Sequence, residues 1–309
     1  MGLATIRARR SARWWAVAGA LAVVLGVVLA LVVDVARAGG PVAWMARRGI
    51  APAYVAQGRL VEVEPGRQAY VDCRGSGSPT VVFEGGLGTG ATGWGFTFPE
   101  VSNFTRACAW DRPGLGRSEG RGRHTARDTA DDLRRVLAAA GESPPFVVVG
   151  HSLGGVYGRV FAAAHRDDVA GLVLVDPFTP DINPADAADV ALPPGMDAEF
   201  EQGMSQTFAT IESVEDLEWP ATDAQLRASA LGNLPLELVF VDQRLRWDDR
   251  VDVATETRLV EAWERLVTAL STESRLTIAE GAGHVIQIDR PEYVIDATRR
   301  LVERSRRGD

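Results

Sequence analysis

Three spacings of apolar residues succeed one another along the chain. From Trp14 to Val33 twenty consecutive residues carry no charge and leave no polar face. As a helix they extend about 30 Å, the hydrocarbon thickness of a bilayer. Arg7, Arg9, Arg10 and Arg13 precede the run, so the positive-inside rule keeps the N-terminus cytoplasmic and sends the rest of the chain across. The expected layout is a basic segment over residues 1–13, a transmembrane anchor over 14–33 and a connector over 34–57, where Trp44 suits the interface. Ala36-Arg37-Ala38 also fits a cleavage site, which would make the same run a signal peptide. Its length exceeds the roughly 7–15 apolar residues of such segments and favours the uncleaved anchor. Both readings export the domain that follows.

From Arg59 the period changes to that of strands and helices. Arg59–Val63, the Pro65-Gly66 turn and Gln68–Cys73 predict a β-hairpin. Short apolar runs at 80–83, 106–110, 146–149, 171–175, 236–241 and 275–279 predict six further strands. Between them lie helical patterns at 125–140, 156–165, 254–270 and 291–304. The first opens on Thr125-Ala126-Arg127-Asp128, which resembles a capping box, and closes at Gly141. A hairpin followed by alternating strands and helices implies an α/β domain over 58–305. Its eight-stranded, mostly parallel sheet carries helices on both faces. Ligands of such sheets sit beyond the carboxyl ends of the strands. Leu87, Ser152, Asp176 and His284 are therefore the residues to weigh. Residues 178–235 interrupt the alternation with eleven acidic residues and one basic one, Arg227. Phe200, Met204, Phe208 and Ile211 have helical spacing, so this stretch predicts an inserted helical cap rather than a loop.

Charge narrows the partners. Without residues 1–38 the chain holds 28 basic and 40 acidic residues, a net charge of −12 that disfavours nucleic acid and anionic surfaces. No lysine occurs anywhere. Gly86-Leu87-Gly88-Thr89-Gly90 is consequently not a phosphate loop, which needs Gly-Lys-Ser/Thr after it. Two cysteines do not build a zinc site. Neither a metal nor a cofactor is expected; the partners are a small-molecule acyl substrate and, through the N-terminal helix, a membrane.

The chemistry centres on Val147-Val148-Val149-Gly150-His151-Ser152-Leu153-Gly154-Gly155. A strand, a sharp turn with glycines two before and two after a serine, and a helix together form a nucleophile elbow. The turn exposes the serine Oγ in a strained backbone conformation, and the flanking glycines leave room for the adjoining strand and helix. A serine hydroxyl needs a base. Among four histidines His284 qualifies, because Gly281-Ala282-Gly283-His284 follows the last strand. His151 is expected to point away from the pocket, and His124 and His165 to be solvated.

The elbow, the segments Val81-Val82-Phe83-Glu84-Gly85-Gly86-Leu87-Gly88 and Asp111-Arg112-Pro113-Gly114-Leu115-Gly116, and the late histidine together resemble the α/β-hydrolase fold superfamily. That resemblance implies an exported, membrane-anchored serine hydrolase of carboxylic esters or related acyl compounds, working through a Ser-His-Asp triad. Within the superfamily the acid follows either the seventh strand, which offers Asp242, Asp248 and Asp249, or the sixth, which offers Asp176. The charged surroundings of the first three favour Asp176. Leu153 supplies one oxyanion N–H. Alignment with the superfamily's His-Gly-x segment makes Leu87 the other, with Gly86 as the alternative. Peptidase, thioesterase and cofactor-free peroxidase activity on this fold, or a non-catalytic binding protein, are the other readings. Epoxide hydrolases and haloalkane dehalogenases use aspartate at the elbow, and serine argues against both. The superfamily's strand order also makes the second and fourth strands neighbours, which implies a disulfide between Cys73 and Cys108; the alternative is two buried thiols.

Overall fold

The computed structural model describes residues 57–182, 196–242 and 252–308. The anchor, the A-x-A site and Trp44 lie outside them, as do Asp248 and Asp249. No helix among the described residues is long and apolar enough to cross a membrane. Pro65 and Gly66, the latter at φ 78°, turn β1 (Arg59–Glu64) back onto β2 (Arg67–Arg74) as an antiparallel hairpin. Six more strands follow: β3 (Thr80–Glu84), β4 (Ala107–Trp110), β5 (Phe146–His151), β6 (Val169–Val175), β7 (Leu236–Val241) and β8 (Ser274–Ala279). Their order in the sheet is β1-β2-β4-β3-β5-β6-β7-β8, and every pairing from β4 onward is parallel. The valine runs of β3 and β5 are buried on both sides, which is why they show no alternation.

Eight α-helices are described: α1 (Phe98–Ser102), α2 (Ala126–Ala140), α3 (Leu153–Ala164), α4 (Met196–Glu215), α5 (Trp219–Arg227), α6 (Val253–Thr268), α7 (Ile286–Asp289) and α8 (Pro291–Arg307). α2 starts in the expected capping box: Thr125 accepts from the Asp128 N–H, and the Asp128 carboxylate takes the Thr125 N–H. It ends at Gly141, whose φ of 87° is costly for any side chain. Leu133, Val136 and Leu137 of α2 and Val156, Tyr157 and Phe161 of α3 join Val82, Val148 and Leu172 in one core. α8 packs on β6 and β7, and Gly171 has no side chain where the Leu301 methyls sit.

The stretch between β6 and β7 forms α4 and α5, as its helical spacing predicts. Ile211, Leu217, Trp219 and Leu226 are buried there, so the insertion shares the core of the domain. The antiparallel register of β2 and β4 sets Cys73 directly opposite Cys108, with Cα atoms 4.1 Å apart, and the two sulfurs are bonded. Among the described residues one group of metal-ligand types lies close together, Cys73, Cys108 and Glu142, and that disulfide occupies both of its sulfurs.

Candidate active site

β5 delivers Ser152 to the carboxyl edge of the sheet, and the chain reverses there into α3. Ser152 takes φ 53° and ψ −121°, a conformation that L-residues seldom adopt. Three hydrogen bonds hold it. Its N–H donates to Val175 O at 3.1 Å, and its carbonyl accepts from the N–H groups of Gly155 (2.9 Å) and Phe178 (3.0 Å). A Cβ at position 150 would collide with the Gly154 carbonyl oxygen, and one at 154 with that of Glu84. The two glycines of the motif are therefore steric necessities. The Ser152 Oγ makes no hydrogen bond to another described residue, and α3 starts directly beyond it.

β6 ends one residue before Asp176, whose backbone lies at φ 38° and whose N–H donates to Val239 O at 2.8 Å. His151 and Val175 are register partners on β5 and β6, so Ser152 and Asp176 leave adjacent strand ends. The loop after β8 brings His284 to Asp176: Nδ1 lies 2.6 Å from Oδ2. That hydrogen bond, backed by the charge of Asp176, raises the His284 pKa above the ordinary imidazole value, against partial desolvation. The His284 side chain is 57% exposed, and that of Asp176 12%. Nδ1–H bound to the carboxylate leaves Nε2 as the basic nitrogen. Asp242 instead faces a cavity lined by Glu256, Trp263 and Ile278.

His151 is buried and packs against the loop that carries His284. Its Nε2 lies 2.8 Å from the carbonyl oxygen of His284, and the two rings are 4.8 Å apart. Burial, and then the neighbouring His284, press its pKa down to about 4, so the ring is neutral at physiological pH and Nε2–H is the donor. The expectation that His124 and His165 are solvated is corrected. His124 is 4% exposed, with Nδ1 2.8 Å from Gly122 O and its strand-like backbone bridged to Leu217 of the insertion. His165 is half-buried and bonded to Asp131 at 3.0 Å. The bridge to Leu217 and the bond to Asp131 depend on chain segments far apart in sequence, which no local pattern discloses.

The loop after β3 passes close to the serine. A Cβ on Gly86 would stand 3.5 Å from the Ser152 Cβ and 2.9 Å from His151 Nδ1. The N–H groups of Leu87 and Leu153 donate to no other described residue. Beneath this loop lies a buried ionic network that the sequence did not disclose. The Arg112 guanidinium donates to Gly85 O (2.6 Å), Gly86 O (2.7 Å), Glu84 (3.4 Å) and both oxygens of Glu215 (2.6 and 3.0 Å). Glu215 also accepts from the Gly88 N–H and the Tyr157 hydroxyl, and Glu84 accepts from the Trp110 indole N–H. Burial favours the neutral form of Glu84 and pushes its pKa up to about 7, although Arg112 opposes the shift. For Glu215 burial acts the same way and is the largest single influence, but the Arg112 charge together with the hydrogen bonds from Arg112, Gly88 and Tyr157 outweighs it and holds the carboxyl below its usual range. The signal for Arg112 was its place in the Asp111-Arg112-Pro113-Gly114 segment. Nothing marked Glu215 among the insertion's eleven acids.

A model described as the alpha/beta hydrolase family matches residues 81–297. An uncharacterised protein of Bacillus subtilis, YqjL, is 28% identical over 226 residues, spanning 72% of this chain and 82% of its own length. Among solved structures, a thermophilic esterase from Thermogutta terrifontis superposes with a TM-score of 0.51 at 22% identity, covering 81% of this chain and 99% of that one. A bacterial membrane phospholipase A superposes with a TM-score of 0.55 at 19% identity, covering 98% of this chain and 99% of that one. At these identities the superpositions speak for the fold.

Proposed function

Because the chain belongs to the alpha/beta hydrolase family, we propose that it is a serine hydrolase acting on carboxylic esters or related acyl compounds. The observation that carries this reading is the 2.6 Å bond from His284 Nδ1 to Asp176, at the strand end adjacent to a strained serine. In the proposed cycle Ser152 Oγ attacks the acyl carbon while His284 Nε2 takes its proton. The negative charge that develops on the acyl oxygen meets the free N–H groups of Leu87 and Leu153, helped by the positive end of α3. Collapse of the tetrahedral intermediate breaks the bond to the alcohol, to which His284 returns the proton. Water, deprotonated by His284 in its turn, then releases the carboxylic acid and restores Ser152. Asp176 keeps the imidazole in the tautomer that exposes Nε2 and stabilises the imidazolium. The serine at the elbow separates this chemistry from aspartate-based dehalogenation and epoxide opening. A fluorophosphonate, which presents a tetrahedral phosphorus to an activated serine, should label the wild-type protein and leave Ser152→Ala unlabelled.

We further propose that the domain is exported and held to a membrane by residues 14–33. The charge-free run and the arginines before it support this, and so does a disulfide, which persists in oxidising compartments. The expected result is a protein that stays in the membrane fraction through a carbonate wash. A mature N-terminus at Gly39 would overturn the anchor in favour of a cleaved signal.

A further inference from the structure

The guanidinium of Arg112 is 2% exposed, cannot touch substrate, and has all five N–H donors engaged. Two of them read backbone carbonyls, of Gly85 and Gly86. The carboxylate opposite it, Glu215, is the last residue of α4 and belongs to the insertion, 103 positions along the chain. Glu215 Oε1 also accepts from the Gly88 N–H at 2.9 Å. The loop is thus held at the Gly85 carbonyl, the Gly86 carbonyl and the Gly88 amide. Between those points the N–H groups of Gly86 and Leu87 donate to no described residue, and that of Leu87 belongs to the same peptide as the Gly86 carbonyl. In a trans peptide the N–H points opposite to the carbonyl of the preceding residue. Gly86 O, held by Arg112 and by the Thr89 N–H at 3.0 Å, therefore turns the Leu87 N–H away from the network.

We propose that Arg112 and Glu215 are the positioning pair of the oxyanion site: the helical insertion, through Glu215, orients the Leu87 N–H for catalysis. The inference rests on the serine-hydrolase reading of the same site. The need for such a clamp follows from the sequence. Gly85-Gly86-Leu87-Gly88 has three glycines in four residues, and among the described residues the one other hydrogen bond to the 86–87 peptide is the turn bond from the Thr89 N–H to Gly86 O at 3.0 Å. With the peptide flipped, the Gly86 carbonyl would face the developing oxyanion in place of a donor. The forked guanidinium supplies the geometry, and a lysine at 112 could not hold both carbonyls and both Glu215 oxygens at once. Glu215 in turn is fixed by the Tyr157 hydroxyl at 2.9 Å from α3, the helix that carries the other donor, Leu153. The two halves of the oxyanion site therefore share one buried anchor.

Arg112→Lys and Glu215→Gln test the pair, with an activated ester as substrate and a trifluoromethyl ketone as a mimic of the tetrahedral state. For each folded variant kcat should fall roughly 10- to 100-fold with KM changed less than about threefold, in line with partial loss of one oxyanion donor. Affinity for the trifluoromethyl ketone should fall in parallel with kcat/KM, while affinity for the carboxylate product stays as in the wild type. A packing role would lower melting temperature without separating these two affinities. Tyr157→Phe leaves every charge in place and serves where either charge variant fails to fold. It should lower kcat and trifluoromethyl ketone affinity together by a few-fold. A folded variant with wild-type kcat and wild-type trifluoromethyl ketone affinity overturns the proposal. Failure of the wild-type protein to form a Ser152 adduct with a fluorophosphonate overturns the serine-hydrolase reading itself, and this inference with it.

Discussion

Asp176 shifts the pKa of His284 upward, and with His284 as the proposed base that makes a pH profile predictable. The base works only when neutral, so kcat/KM should be lost as pH falls through the His284 pKa. Since the hydrogen bond to Asp176 raises that pKa, the midpoint should lie above the ordinary value of about 6.5. Asp176→Asn removes the carboxylate charge, so the midpoint should drop and activity should fall by up to about 10⁴-fold through the wrong tautomer. An unchanged midpoint in Asp176→Asn would assign the acid elsewhere. Ser152 was legible because an elbow demands glycines at fixed offsets, and His284 because it follows the last strand. The choice of Asp176 over Asp242 rested only on the charged surroundings of the latter, a weak signal, and His284 does meet Asp176. Both directly follow parallel strands, and only the path of the loop after β8 decides which carboxylate the imidazole meets. The tasks of His151, His124 and Glu215 escaped for the same reason: each partner lies in a distant element.

Elements whose period is local matched their sequence closely: the hairpin, the alternating strands and helices, and the cap of α2. The insertion was legible as helical but not as part of the core, since its burial depends on Leu217 and Trp219 meeting residues far back in the chain. Pairing of β2 with β4 followed from the resemblance, and the register then became a matter of one residue. It sets Cys73 opposite Cys108. The crosslink closes a loop with a sequence separation of 35 residues, for which chain entropy predicts about 3–4 kcal/mol. A Cys73→Ala/Cys108→Ala pair should therefore unfold at lower denaturant with little change in kcat. Thiol counting on the denatured, unreduced protein should find none free. Two free thiols would contradict the bond.

At the scale of the molecule, the sheet collects the proposed machinery from four separate strand ends. β3 leads to Leu87, β5 to Ser152, β6 to Asp176 and β8 to His284. Cofactor chemistry has no part in the proposed cycle: the charges involved are a carboxylate, an imidazole and two amide dipoles. The buried Arg112–Glu215 pair joins the insertion between β6 and β7 to the loop after β3, and on the proposed reading it does so at the oxyanion site. The measurement that tests the central claim most directly is the site of covalent capture by a fluorophosphonate, read by intact mass and peptide mapping. One phosphonyl group per chain, carried by the peptide containing Ser152, faster at pH values above the His284 midpoint and absent in Ser152→Ala, is the predicted result. No adduct on the folded protein, or an adduct that survives Ser152→Ala, would contradict it.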